Sequence, residues 1–219
     1  MIVTIDGPAG SGKSTVAREL AKKLGVPYIE TGAMYRAVAW WCSRNGIDLT
    51  DKEAVVNLLE QMEIDFITSG NDFLVQFEGK RINDELYAPS IGEFASAIAR
   101  IPEVREFLTK KQRELAQKSD SCIFEGRDMG TVVFPDADHK FFLSTSLEER
   151  ARRRVRQLKE KGLEVSYEET LRAIRKRDSQ DENRAVAPLK AAPDAKIIDT
   201  TNITVDDVVD IIVSAINLF

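Results

Sequence analysis

The chain has 219 residues, 43% of them hydrophobic, and a formal net charge of −5, enough for one core with or without small insertions. No apolar run is long enough to span a bilayer, Met1 leads directly into an apolar stretch with no basic segment of a signal peptide before it, and the acidic balance argues against a nucleic-acid-binding protein. A single histidine, His139, argues against histidine-based metal sites and a histidine-centred triad, and Cys42 and Cys122 lie in apolar surroundings without metal-ligand spacing, as expected of reduced core thiols in a cytoplasmic protein.

Residues 2–5 form an apolar run that reads as a buried parallel strand. It leads into Gly7-Pro8-Ala9-Gly10-Ser11-Gly12-Lys13-Ser14, which fits the phosphate-loop pattern G-x-x-x-x-G-K-[ST]. A helix is expected over 14–24, with Val16, Ala17, Leu20, Ala21 and Leu24 on one face. The glycines allow successive N–H groups to turn inward as an anion nest, and the helix aims its positive end at the same point. Lys13 adds a mobile charge for outer phosphates, and the Ser14 hydroxyl suits Mg²⁺. The stretch from Gly7 to Thr15 is therefore the expected nucleotide phosphate site.

Gly25 and Pro27 end this helix, and 27–30 reads as a second strand. Thr31 to Arg36 opens another helix that ends near Gly46, and Thr50-x-x-Glu53 has the capping-box pattern for a helix over about 51–61. The texture then changes. Short strand-like pieces at 64–67, 73–77 and 81–83 are separated by turns, which predicts a small antiparallel meander. Ser90-x-x-Glu93 reads as the cap of the next helix, and Pro102 starts another. Residues 121–124, 139–143 and 195–198 read as three more core strands. The first ends in Glu125-Gly126-Arg127-Asp128. Ser146-x-x-Glu149 and Ser166-x-x-Glu169 cap two helices separated by Gly162, and an amphipathic helix closes the chain over 205–218. This alternation implies an α/β fold with a parallel sheet flanked by helices. Ligands bind beyond the carboxyl ends of such strands, so the phosphate loop, Thr31 to Arg36 and Glu125 to Asp128 should converge on one cleft.

Arginine marks that cleft further, because its planar fork grips phosphate oxygens and keeps its charge. Arg36 and Arg127 follow strand–loop boundaries that aim them inward. On the helix after Ser146, Arg150, Arg153 and Arg154 share one side and Arg152 and Arg156 another, so at least one group is solvated. As a set they read as a lid over donor phosphates, while Asp136, Asp138, Glu148 and Glu149 read as surface charges and caps. The polar run Arg177-Asp178-Ser179-Gln180-Asp181-Glu182-Asn183-Arg184 leads into apolar Ala185 to Leu189, which would pin it as a buried functional strip. Glu125 is expected beside the phosphate-loop strand, either as a partner of Ser14 at Mg²⁺ or in a structural hydrogen bond.

Across nearly its whole length the chain resembles the bacterial cytidylate kinases. The resemblance rests on Ile5 to Thr15, Thr31-Gly-Ala-Met-Tyr-Arg36, Ile101-Pro-Glu-Val-Arg105, Gly126-Arg-Asp-Met-Gly-Thr-Val-Val-Phe-Pro-Asp136, and Arg177-Asp178 through Asn183-Arg-Ala-Val-Ala-Pro-Leu189. It implies the phosphate-loop nucleoside monophosphate kinase fold: a five-stranded parallel sheet, a small antiparallel β insert on the monophosphate side (about 62–90) and a helical lid (about 147–170). The core would be 1–61, 91–146 and 171–219. The implied reaction moves the ATP γ-phosphoryl group to CMP or dCMP with Mg²⁺. Carried over by residue, Arg36, Arg127 and Arg184 look like acceptor-phosphate ligands. Arg105, Asp128 and Thr31 look like cytosine readers, and Ser96, Arg177 and Asp181 like sugar contacts. Lys13, Arg153 and Arg154 would face the donor, with Ser14 and Glu125 at the metal. Glu30 and Glu125 stand where the family usually has aspartate, Tyr87 where arginine is common, and Glu93 where asparagine is common. The expected partners are small nucleotides, with no nucleic acid or membrane, and a monomer is expected. A kinase of the same fold for AMP, UMP or shikimate is the nearest alternative. A nucleotide switch is the other, although an Asn-Lys-x-Asp run is absent.

Overall fold

The computed structural model describes residues 1–49, 51–160 and 162–216. The chain runs β1 (Ile2–Asp6), α1 (Lys13–Leu24), β2 (Tyr28–Glu30), α2 (Thr31–Arg44), α3 (Lys52–Leu59), β3 (Ile64–Ser69), β4 (Asp72–Phe77), β5 (Lys80–Arg81), α4 (Pro89–Ile98), α5 (Pro102–Ala116), β6 (Cys122–Gly126), β7 (His139–Ser144), α6 (Leu147–Glu160), α7 (Tyr167–Glu182), β8 (Lys196–Asp199) and α8 (Val205–Ile216). A 3-10 turn covers Glu85–Tyr87 and a turn of π-helix covers Met129–Val133.

β1 lies at the centre of a parallel five-stranded sheet in the order β2-β6-β1-β7-β8. Its register pairs Ile5 with Glu125 on one side and with Phe141 on the other. Glu125 is thus beside the phosphate-loop strand, as expected. The strands are short and apolar because both faces of the sheet are covered. Their period of two divides the buried side chains into two cores. On one face Val3, Ile5, Ile123, Phe141 and Leu143 pack with Val16 and Leu20 of α1 and Val208, Val209 and Ile212 of α8. On the other, Ile29, Cys122 and Phe124 pack with α2, α3, α4 and α5. Cys42 and Cys122 are both buried free thiols, and burial pushes each up to about 11.

The meander is a separate antiparallel sheet in the order β3-β4-β5. It has no core of its own: Phe66, Phe73, Val75 and Phe77 join the α2–α5 core, with the Phe77 ring 5.3 Å from Trp41 and 5.5 Å from Trp40. Its third strand stops at Arg81 rather than continuing to residue 83. Asn83 turns inward instead, accepting from Val75 N at 2.9 Å and donating to Phe73 O at 3.1 Å, so a side chain replaces the ladder.

Several local expectations change. Ser90 is no cap: α4 begins at Pro89 with Ala88 at the cap position and no side-chain cap, because proline suits the first helical turn. α3 is capped by Asp51, which accepts from Ala54 N at 3.0 Å; Thr50, read as the start of a capping box, lies outside the described residues, as does Leu218 of the closing helix. Ser146 and Ser166 do cap α6 and α7, accepting from Glu149 N at 3.3 Å and Glu169 N at 3.5 Å.

Gly7 joins β1 to the phosphate loop at φ 150°, and a Cβ there would fall 2.2 Å from Leu143 O of neighbouring β7. Neither the backbone angle nor the contact admits a side chain. Gly7→Ala is expected to cost about 1–3 kcal/mol, read as a lower urea midpoint at unchanged slope. An unchanged midpoint would show that the loop shifts freely.

Candidate active site

Three strand ends build the site. After β1 the chain turns through Gly10 and Gly12, both at positive φ (80° and 90°). α1 then starts at Lys13 without a side-chain cap, so its first N–H groups stay open toward the loop, as an anion site requires. Lys13 Nζ donates to Pro8 O at 2.8 Å and Ser11 Oγ to the same carbonyl at 3.0 Å. Ser14 Oγ donates to Glu125 Oε1 at 3.1 Å. Thr15 is exposed on α1. Ser14 and Glu125 offer hard oxygen donors next to the phosphate nest, which fits a small divalent cation sharing its shell with phosphate and water. Among the described residues no cluster of three or more His, Cys, Asp or Glu forms a metal cage.

After β6 the chain presents Arg127 and Asp128. Arg127 Nε donates to Asp181 Oδ2 of α7 at 3.0 Å. Asp128 is paired with Arg105 of α5 by a short hydrogen bond from Nη2, and these side chains are 3% and 5% exposed. Arg105 also donates to Ala99 O at 3.1 Å and lies 5.5 Å over the Tyr35 ring. Arg184 Nη2 lies 3.6 Å from Asp128 Oδ1, and Arg184 Nε donates to Ala187 O. The loop bearing Arg184 is held by Leu189 N, which donates to Asp181 O at 2.8 Å, with Ala187 and Leu189 buried. The strip is pinned as the sequence suggested.

Arg36 of α2 donates from Nη1 to Leu86 O at 3.1 Å. Arg177 of α7 has a buried Nε without a hydrogen-bond partner. Burial pushes Arg177 down to about 10, the Arg127 charge adds to this, and Asp181 opposes it. Burial also lowers Arg36; Tyr87 and Glu30 oppose this, and Arg154 and Arg127 add to it as repelling neighbours. Arg127 and Arg154 therefore act as like charges on both Arg36 and Arg177, which share an electropositive surrounding. Two expected site residues are turned to other partners. The Thr31 hydroxyl donates to Glu125 O at 2.8 Å, and the Ser96 hydroxyl to Gly92 O of its own helix at 3.2 Å.

The arginines of α6 divide. Arg153 Nη2 donates to Thr200 O at 2.6 Å and Nε to Glu149 Oε1 at 3.1 Å, beside Gly12 of the loop. Arg154 is exposed and acts through its charge on Arg36 and Arg177. Arg150, grouped with them by spacing but given no individual role, is buried. It donates to Ala9 O at 3.2 Å, Thr145 O at 3.1 Å and Asp178 Oδ2 at 2.5 Å. That clamps α6 and α7 to the phosphate loop.

Asp6 and Thr200 were not singled out as site residues in the sequence. Asp6 accepts from Met129 N at 2.9 Å and Gly130 N at 2.8 Å, fixing the turn behind Asp128. Burial lifts its carboxyl to about 7 against those two donors. The Thr200 hydroxyl donates to Ser11 O at 3.1 Å. A carboxylate ending a buried strand directly before a phosphate loop was the available hint for Asp6; Thr200 had none.

The nest at α1, the arginines facing it and the parallel sheet that carries both define a phosphate-loop kinase. The family model for cytidylate kinase matches residues 3–218. The chain is 50% identical over 208 residues to the cytidylate kinase of Fervidobacterium nodosum, covering 95% of this chain and 92% of that protein. It is 49% identical over 214 residues to that of Caldanaerobacter subterraneus subsp. tengcongensis (98% and 93%), and 46% over 209 residues to that of Vibrio cholerae (95% and 92%). The chain belongs to the cytidylate kinase family. A solved structure of an uncharacterized protein from Eubacterium ventriosum shares the fold at 15% identity, with a TM-score of 0.58 over 100% of this chain and 99% of that one. Among the described residues no helix is long and apolar enough to cross a membrane.

Burial pushes Lys13 down from 10.5 to about 7; Arg127 adds to this, while Glu125 and Asp6 oppose it. In the folded chain Lys13 loses its proton above pH 7, whereas the unfolded chain keeps it to 10.5. The unfolded state then binds more protons, so stability rises with pH across this window. The wild type should gain on Lys13→Met by about 1 kcal/mol per pH unit between about pH 7.5 and 9. Parallel curves in denaturant titrations across that range would refute the depressed value.

Proposed function

We propose that the chain transfers the γ-phosphoryl group of ATP to CMP or dCMP, giving ADP and CDP or dCDP. The observation that carries this is the buried Arg105–Asp128 pair, set between Arg184 and Arg127 at the end of the strand beside the phosphate loop. Cytosine presents an amino donor beside acceptor atoms, which a carboxylate and a guanidinium complement. Uracil would place a carbonyl against the carboxylate.

In this reading Gly7 to Thr15 bind the donor phosphates through backbone N–H groups. Lys13 exchanges Pro8 O for an outer phosphate oxygen and stabilises charge on the transferring group. Arg153 and Arg154 close on the donor from α6, within a lid of about 147–170. Arg36, Arg127 and Arg184 hold the acceptor phosphate, and Arg127 exchanges Asp181 for it. Arg177, Asp181 and Ser96 attend the sugar, and Thr31 lies beside the base. The insert of about 62–90 walls the acceptor side. Ser14 and Glu125 would hold Mg²⁺, which when bound supplies charge neutralisation between donor phosphates. The acceptor phosphate is ionised at neutral pH, so no general base is assigned. The residues bind, align and exclude water, which is most of what phosphoryl transfer requires.

A coupled assay against CMP, dCMP, UMP and AMP tests the assignment. CMP or dCMP should be turned over fastest, and faster turnover of AMP or UMP would overturn it. Asp128→Asn should narrow the CMP-to-UMP ratio of kcat/KM about tenfold or more, because an amide can donate as well as accept. The ratio cancels any loss of folded enzyme, and an unchanged ratio would remove Asp128 from the base site.

A further inference from the structure

Tyr87 ends the 3-10 turn before α4, and it is 43% exposed, unusual for a large aromatic residue with so many partners. The Arg36 guanidinium lies 5.1 Å from its ring centroid. Its hydroxyl donates to Glu30 Oε1 by a short hydrogen bond. The other Glu30 oxygen accepts from the Tyr28 hydroxyl at 3.3 Å. Glu30 is the residue at the N-terminal cap position of α2, the helix that carries Arg36. Gly92 of α4 approaches the same guanidinium so closely that a Cβ would fall 3.2 Å from Arg36 Nη1. Ring, glycine and the Leu86 carbonyl thus surround one cation.

That cation needs holding. Arg127 and Arg154 repel Arg36 within the half-buried cleft, and a long side chain among like charges swings outward unless something attracts it. An aromatic face attracts a guanidinium without neutralising it, so the charge stays available to an anion. A carboxylate at the same place would satisfy Arg36 and compete with phosphate. Glu30 attracts Arg36 through space, but its oxygens are directed to the two tyrosine hydroxyls.

We propose that Tyr87 is a positioning residue for the acceptor phosphate. Its ring orients the Arg36 guanidinium, and the Glu30 hydrogen bond holds the ring in place. The proposal rests on the assignment of Arg36 to that phosphate. It separates Tyr87 from the base-reading residues: Tyr87 should matter for the phosphate of the acceptor and not for its cytosine.

Steady-state kinetics and calorimetric titrations of the full chain with CMP and with cytidine, which lacks the phosphate, test this. Tyr87→Leu should raise KM for CMP and weaken CMP binding about tenfold, on the scale of a partly desolvated cation–π contact. Cytidine binding and KM for ATP should not change. Tyr87→Phe keeps the ring and should lose about threefold, a smaller effect in line with one hydrogen bond. Adding Tyr87→Leu to Arg36→Met should cost nothing further for CMP. Equal weakening of CMP and cytidine, or a full tenfold loss on the Arg36→Met background, would overturn the positioning role. Unaltered CMP binding by Tyr87→Leu beside a normal wild type would overturn it as well. A wild type that does not bind CMP would instead overturn the acceptor assignment beneath it.

Discussion

The structure depends on placing several buried charges of both signs at the carboxyl ends of β1 and β6. A buried ion is costly unless paired and hydrogen-bonded. Here the basic groups Lys13, Arg105, Arg127 and Arg150 meet Pro8 O, Asp128, Asp181 and Asp178 respectively. The acids come from different elements: Asp128 from the end of β6, Asp178 and Asp181 from α7. Each of the three ion pairs therefore fixes a piece of tertiary structure as well as a charge, while Lys13 to Pro8 O stays within the loop. Breaking one member of such a pair costs about 3–5 kcal/mol, so the arrangement holds its geometry before any ligand arrives.

The balance is incomplete at Arg177, as it is at Arg184 Nη2 and Asp178 Oδ1, which are also buried without a hydrogen-bond partner. Arg177 keeps a buried Nε without a hydrogen-bond partner, and its value falls to about 10 because burial and Arg127 disfavour its charge. Excess positive charge in a low-dielectric cleft produces a strong local field that concentrates anions. A polyanion entering there relieves repulsion among Arg36, Arg127, Arg154 and Arg177 and needs no new charge to be buried in compensation. Net charge over the whole chain is −5, so the field is local, which suits a small phosphate-bearing ligand better than a long one.

Packing transmits this arrangement. The insert shares the core of α2 through Phe77 and the two tryptophans, so Arg36 and the turn bearing Tyr87 are carried by one connected body. Arg150 ties α6 and α7 to Ala9 of the phosphate loop. The phosphate loop and the elements carrying the cleft arginines are thereby joined by packing and by buried hydrogen bonds.

The sequence by itself determined the strands, most helices, the phosphate loop and the two faces of α6, because those signals are local: a period of two, a period of 3.6, glycines before a lysine, a serine three residues before a glutamate. It also placed Glu125 next to the phosphate-loop strand, although β2, the next strand along the chain, lies on the far side of β6. The cap of α4 and the end of β5 were misread where Pro89 and Asn83 overrode the simpler pattern. Only the tertiary structure decided what Asp6, Arg150, Thr200 and Tyr87 do. Asp6 meets Gly130 across 124 residues, Thr200 meets Ser11 across 189, and Tyr87 meets Glu30 across 57. No periodicity spans such distances. These residues acquire partners because a parallel sheet gathers the ends of distant strands at one edge, where buried polar groups must find one another or go unsatisfied.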